Sequence, residues 1–218
     1  MQGPSVYCLH GADQERLSAR IDELREHVDF FAIGMDLHME RPDTVEDLRD
    51  RGLRAYAHFL YYDIREVVVN AAVGLAEHGY AAFDMHALCG IETMKAVCNE
   101  VRERRSEVLT FACALLPNQV DLPWWPHKAT PDEAGEFAAE KARQAVSAGV
   151  DGILTPHKVA GHVAREVPEG KSLLVYADSA SVNDGWPTEW GPFYDWHVDD
   201  IWEQDEGIRL IQARRLRS

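Results

Sequence analysis

Residues 80–116, "YAAFDMHALCGIETMKAVCNEVRERRSEVLTFACALL", carry the pattern that decides the fold. The run opens on the apolar, strand-like YAAFDMHA (80–87), passes into the helical pattern GIETMKAVCNEVRER (90–104), and returns to the β-rich EVLTFACALL (107–116). A strand joined through a helix to a second strand implies parallel pairing, with both faces of the sheet covered. The same rhythm runs outward in both directions. Upstream lie SVYCLH (5–10), DFFAIGMD (29–36) and RAYAHFLYY (54–62); downstream lie VDGILTP (150–156), KSLLVYAD (171–178) and GIRLIQARRL (207–216). Helical patterns fill most of the intervals, with Asp13 as an N-cap and Gly52 and Gly79 as stops. Eight strand candidates in 218 residues predict an α/β protein, a single (β/α)8 TIM barrel spanning 1–218 as one domain. The competing doubly wound sheet requires a glycine-rich phosphate turn, and the sequence contains neither GxGxxG nor GxxxxGK[ST].

Composition narrows the function. Hydrophobic residues make up 46% and charged residues 27%, which excludes disordered and collagen-like classes. The net charge of -15 argues against nucleic acid and anionic membranes as partners, because phosphate binding depends on Lys- and Arg-rich surfaces. No apolar run approaches the roughly 18 residues of a membrane helix, and MQGPSVYCLHGADQ lacks the basic and apolar regions of a signal peptide. The four cysteines (Cys8, Cys89, Cys98, Cys113) form no CxxC, and Cys8 and Cys113 lie in apolar strand-like runs as small hydrophobes. A reduced, cytoplasmic setting is expected.

The run DIREVVVNAAVGLAEHGYAAFDMHALCGIETMKA (63–96) resembles the orotidine 5′-monophosphate decarboxylase family, as do FFAIGMDL (30–37), SAGVDGILTPHKV (147–159) and LIQARRL (210–216). The related barrels acting on sugar phosphates, hexulose phosphate synthase and ketogulonate phosphate decarboxylase, share the architecture. The resemblance implies a TIM barrel, a small-molecule substrate, a homodimer and a phosphate-binding arginine at Arg214. In the family, a lysine from strand two and an Asp-x-Lys-x-x-Asp run from strand three surround the reacting carboxylate. Here Ala32 matches the first lysine, His58 the first aspartate and Leu60 the second lysine; Asp63 alone is kept, and His10 matches the ribose-binding aspartate of strand one. Leucine supplies neither a cation nor an acid, so decarboxylation of orotidylate by the family mechanism is not expected.

Several residues remain as candidates for a successor chemistry. Barrels of this type place their sites at the C-terminal ends of strands. His58 is expected to face inward, and Asp84 and His86, two residues apart, to share one face of their strand. His58, Asp63 and His86 are the catalytic candidates, with Asp63 orienting the His58 imidazole. His10, Asp84, Asp178, Trp186 and Arg214 are the substrate-binding candidates. His10, His58 and His86 together also have the composition of a site for Zn, Mn or Fe, although ordinary family members carry a histidine at the position of His86 without metal. Asp63 has another reading, because the family's matching aspartate crosses a dimer interface.

The segment YADSASVNDGWPTEWGPFYDWHVDDIWEQDEG (176–207) holds four tryptophans and many acids, with no Lys or Arg between Ala177 and Gly207. That suits a cationic or neutral heterocyclic ligand better than a phosphate, or a tryptophan-packed loop without a ligand. His38, His127 and His157 are further mouth candidates, whereas His27, His78 and His162 read as surface or packing residues. Three functions follow: a divergent decarboxylase-like lyase recruited to specialised metabolism; a metal-dependent hydrolase, isomerase or aldolase; or a non-catalytic binding protein on the same fold.

Overall fold

The computed structural model describes residues 6–9, 14–26, 28–116, 130–177, 194–195, 209–212 and 214–215. Seven parallel strands alternate with helices: β1 (Val6–Leu9), α1 (Gln14–Leu24), β2 (Phe30–Gly34), α2 (Met35–Glu40), α3 (Thr44–Asp50), β3 (Ala55–Tyr61), α4 (Arg65–His78), β4 (Ala82–His86), α5 (Ile91–Arg104), β5 (Leu109–Cys113), α6 (Pro131–Ala148), β6 (Gly152–Pro156), α7 (Ala160–Ala164) and β7 (Ser172–Ala177). Each strand pairs with the next, from β1 to β7, so the sheet curls in chain order. Strands β1, β4 and β6 are buried along their whole length, as expected where helices cover one face and a closed interior lies against the other.

The alternation of side chains divides the core in two. Cys8, Ala32, Tyr56, Phe111, Leu154 and Leu174 belong to the cluster inside the curled sheet, while Phe31, Ile33, Phe83, Met85 and Ile153 join the shell between sheet and helices. Close packing inside depends on small residues. A Cβ on Gly152 would stand 2.4 Å from the Phe111 ring and 2.8 Å from the Ser172 carbonyl oxygen.

Two expectations need correction. First, residues 29–36 are not all strand: β2 ends at Gly34, and α2 begins at once with Asp36 in its first turn. Second, an eighth parallel strand is absent among the described residues. The gap between β7 and β1 is bridged by β9 (Arg209–Gln212), which runs antiparallel to both, and a two-stranded piece pairs β8 (Tyr194–Asp195) with β10 (Arg214–Arg215). Ala177 and Arg209 are partners across the β7–β9 ladder, so the chain leaves and rejoins the sheet at the same end. An antiparallel return of this kind needs no crossover helix.

Candidate functional site

The site forms where β3 and β4 reach their C-terminal ends. The two strands pair as Tyr56↔Ala82 and Ala57↔Phe83, but the next pair is Tyr61↔Met85. Four steps along β3 therefore match two along β4, and the excess is taken up by His58, Phe59 and Leu60. Within this bulge Leu60 adopts φ 52°, the left-handed region that leucine rarely occupies.

The bulge turns polar groups toward Asp84, which is 0% exposed on β4. Tyr56, two residues before His58 on the same strand face, donates its hydroxyl to Asp84 Oδ2 at 2.8 Å. The Leu60 backbone N–H donates to Asp84 Oδ1 at 2.6 Å. His58 Nδ1 meets Asp84 Oδ2 in a third contact. Tyr56 and the Leu60 N–H donate to this same group, and a carboxylate has no proton to give, so the contact places the imidazole proton on His58 Nδ1. The His58 side chain keeps 16% of its surface exposed, so the imidazole links the buried acid to the mouth. It also stacks on Tyr56, with ring centroids 6.0 Å apart.

His86, one step further along the inward face of β4, is held differently. The Leu88 N–H donates to its Nδ1 at 3.2 Å and closes the short helical turn Ala87–Cys89. The neutral ring is thus an Nε2–H tautomer, opposite to that of His58. Electrostatics around Asp84 are those of a buried anion. Burial first, and the Asp84 charge second, push the Tyr56 hydroxyl well above its ordinary range and the Cys8 thiol up to about 12.

Asp84 rather than Asp63 is the carboxylate that holds His58. Asp63 lies on the exposed turn before α4, where its Oδ1 accepts from the Ile64 N–H at 2.7 Å. The polar capacity of Asp84 goes to donors within the protein rather than to a ligand-facing position. Tyr56 and the Leu60 N–H were not singled out by sequence; the two-residue spacing of Tyr56 and His58 along one strand was the available signal.

His38 does not reach the mouth. It packs on the outer shell beside Phe59, its Nδ1 3.0 Å from the Tyr80 hydroxyl, and burial followed by the neighbouring His78 lowers its pKa. His162 packs between helices, 3.5 Å from Glu136. Arg214 lies in β10 opposite Asp195 rather than in the strand that closes the sheet. His10, His27, His127, Asp178 and Trp186, with the Asp13 N-cap, lie outside the described residues, as does the side chain of His157. Among the described residues no group of three or more His, Cys, Asp or Glu side chains is arranged to hold a metal. No described helix is long and apolar enough to cross a membrane.

No protein-family model matches the chain. It is 27% identical over 156 residues to orotidine 5′-phosphate decarboxylase of Carboxydothermus hydrogenoformans, covering 68% of this chain and 64% of the relative. The enzyme of the same name from Syntrophus aciditrophicus is 26% identical, covering 66% and 59%, and that from Nostoc sp. is 27% identical, covering 71% and 68%. The protein is a distant relative of the orotidine 5′-phosphate decarboxylases. The chain aligns with about 64% and 59% of the length of the first two relatives. In fold it matches an uncharacterized conserved protein from Geobacillus kaustophilus, with a TM-score of 0.66 at 18% identity over 82% of this chain and 85% of that one.

Proposed function

We propose that the protein is a lyase-like enzyme acting on a small organic molecule, in which His58 held by Asp84 is the group that moves a proton. The observation that carries this reading is the His58–Asp84 contact between adjacent strands, in which the partly exposed imidazole is held by a buried carboxylate. A carboxylate-held imidazole is a general acid and base suited to neutral pH. Leu60 supplies no charge, and no Lys or Arg falls on any of β1–β7. The buried Asp84 carboxylate and the Tyr56 ring beside His58 favour a neutral or cationic group over a phosphate at this point of the sheet.

The test is turnover, in D2O, of a panel of heterocyclic carboxylic acids that includes orotidine 5′-monophosphate, followed by NMR. The phosphorylated substrate is expected to remain unchanged, and deuterium is expected at the carbon that loses carbon dioxide in a competent one. His58→Gln should lower that turnover by about 10²- to 10⁴-fold. Asp63→Ala, remote from the imidazole contact, should stay within about tenfold of the parent. Full activity in His58→Gln would end the proposal. Saturable binding of a panel member without turnover would favour the binding-protein reading instead.

A second reading shares the same observation. Histidines that ligate a metal commonly donate their other N–H to a carboxylate, so Asp84 would also suit His58 as a ligand for Zn, Mn or Fe alongside His10, whereas His86 would join them only by giving up the bond that its Nδ1 accepts from the Leu88 N–H. Elemental analysis of protein purified without chelator decides this: less than about a tenth of a metal ion per chain removes it. A homodimer in a cytoplasmic setting completes the proposal. It draws support from exposed Met35, Met39, Tyr62, Ile64 and Val67, which lie on α2, the β3–α4 turn and the first turn of α4.

A further inference from the structure

Asp84 has donors on both oxygens, and two of them have no direct part in proton transfer. Tyr56 reaches Oδ2 from deeper in the interior, and the Leu60 N–H reaches Oδ1 from the bulge. A carboxylate turns easily about its terminal torsion, so a single donor leaves its plane free, while donors on both oxygens fix it. The Leu60 donor lies in the bulge, where the residue is left-handed at φ 52° and its N–H leaves the regular strand ladder to meet the carboxylate. Backbone in sparsely populated regions persists where its surroundings over-determine it, and such sites cluster at functional centres. The Leu60 side chain supplies part of that constraint by packing against the interior cluster that contains Tyr56 and Cys8.

We propose that Leu60, through its left-handed backbone N–H, and Tyr56, through its hydroxyl, are positioning residues that fix the Asp84 carboxylate and thereby lock His58 as the Nδ1–H tautomer. This rests on the reading of His58 as the proton carrier, yet its test requires no substrate.

The experiment reads histidine tautomers from ¹⁵N chemical shifts in ¹⁵N-histidine-labelled full-length protein, with His58 assigned by its loss in His58→Gln. In the parent, the neutral His58 ring should show a pyrrole-like Nδ1 and a pyridine-like Nε2. Leu60→Gly accepts the left-handed backbone without strain and should keep this tautomer. Leu60→Asn, tolerant of the same backbone, should keep it too. Leu60→Ile preserves volume but is β-branched, so it should abandon the left-handed region and move His58 toward the Nε2–H form. Tyr56→Phe should shift the Nδ1 proton downfield, because Oδ2 then serves a single donor.

A simple packing role for Leu60 predicts the reverse order, with isoleucine tolerated and glycine disruptive. That order, or a parent His58 in the Nε2–H form, overturns the proposal. Should Leu60→Ile fail to fold, loss of the tautomer in Leu60→Gly or Leu60→Asn overturns it independently, as does an unmoved proton in Tyr56→Phe. If His58→Gln abolishes turnover while the tautomer ignores every Leu60 variant, the proton-carrier reading stands and the positioning role alone falls.

Discussion

Cys8 faces the barrel interior with its thiol pushed up to about 12, first by burial and then by the Asp84 charge. Below its ordinary value of 9.0 the thiol keeps its proton in folded and unfolded chains alike, and its contribution to stability is fully present. As pH rises from there toward about 12, only the unfolded chain releases the proton, so stability falls by up to about 1.4 kcal/mol per pH unit. Tyr56, raised by burial and then by Asp84, adds a loss of the same sign. Urea unfolding midpoints measured between about pH 8 and about pH 10.5 should decline, and Cys8→Ala should flatten the slope. A slope indifferent to that substitution would show that neither burial nor the Asp84 charge holds the proton on the thiol. The inward direction of His58 was implied by the family resemblance, and the shared face of Asp84 and His86 by strand alternation. The partner of His58 was not, because Asp84 reaches it only through a bulge and a left-handed leucine. Neither has a local sequence signal, since leucine is among the residues least suited to positive φ.

The elements were the most legible part of the chain. The strand–helix alternation over 80–116 became β4, α5 and β5 with boundaries within a few residues of those expected, because the strands are buried on both faces and Gly90 precedes the first residue of the helix. Gly79, at φ 103°, ends α4 in the left-handed conformation that side chains avoid. Two elements escaped. The strand-like run of 29–36 hid the start of α2, because Met35 carries the apolar run of β2 past Gly34 without a break. The last strand candidate was legible as a strand but not in its direction, since direction depends on the route of the preceding connection rather than on its own residues. Packing between elements gives a further expectation. Gly152 has no left-handed backbone to protect, so Gly152→Ala acts by crowding alone, against Phe111 and the Ser172 carbonyl. Phe111 cannot give way cheaply, since its ring packs edge-on against Tyr56 with centroids 5.6 Å apart. The substitution should cost about 1–3 kcal/mol in urea unfolding. Adding Phe111→Leu should recover part of that loss, so the double variant is more stable than the sum of the two single changes implies. Strict additivity would mean that alanine fits without touching the ring.

At the scale of the molecule, a strongly acidic surface and an exposed apolar set pull in opposite directions. Tyr62 and Ile64 are 64% and 66% exposed on the β3–α4 turn, and Met39 on neighbouring α2 is 74% exposed. Large apolar side chains gathered in this way mark interaction surfaces more often than bare solvent-facing structure. If these residues join two copies of the chain, each copy brings a net charge of -15, and the two repel. The repulsion is screened by salt, since the Debye length shrinks from about 30 Å at 0.01 M to about 8 Å at 0.15 M ionic strength, while apolar burial is little affected. Dimerisation should therefore tighten as salt rises over that range, the reverse of an interface held by ion pairs. Sedimentation equilibrium at several salt concentrations measures this directly. Ile64→Asp places a carboxylate in the apolar set and adds to the repulsion, so it should yield monomer at every salt concentration while leaving the His58 tautomer untouched. A monomeric parent at high salt and millimolar-range loading would remove the dimer. Weakening with salt would keep a dimer but assign its contacts to charged groups elsewhere on the surface.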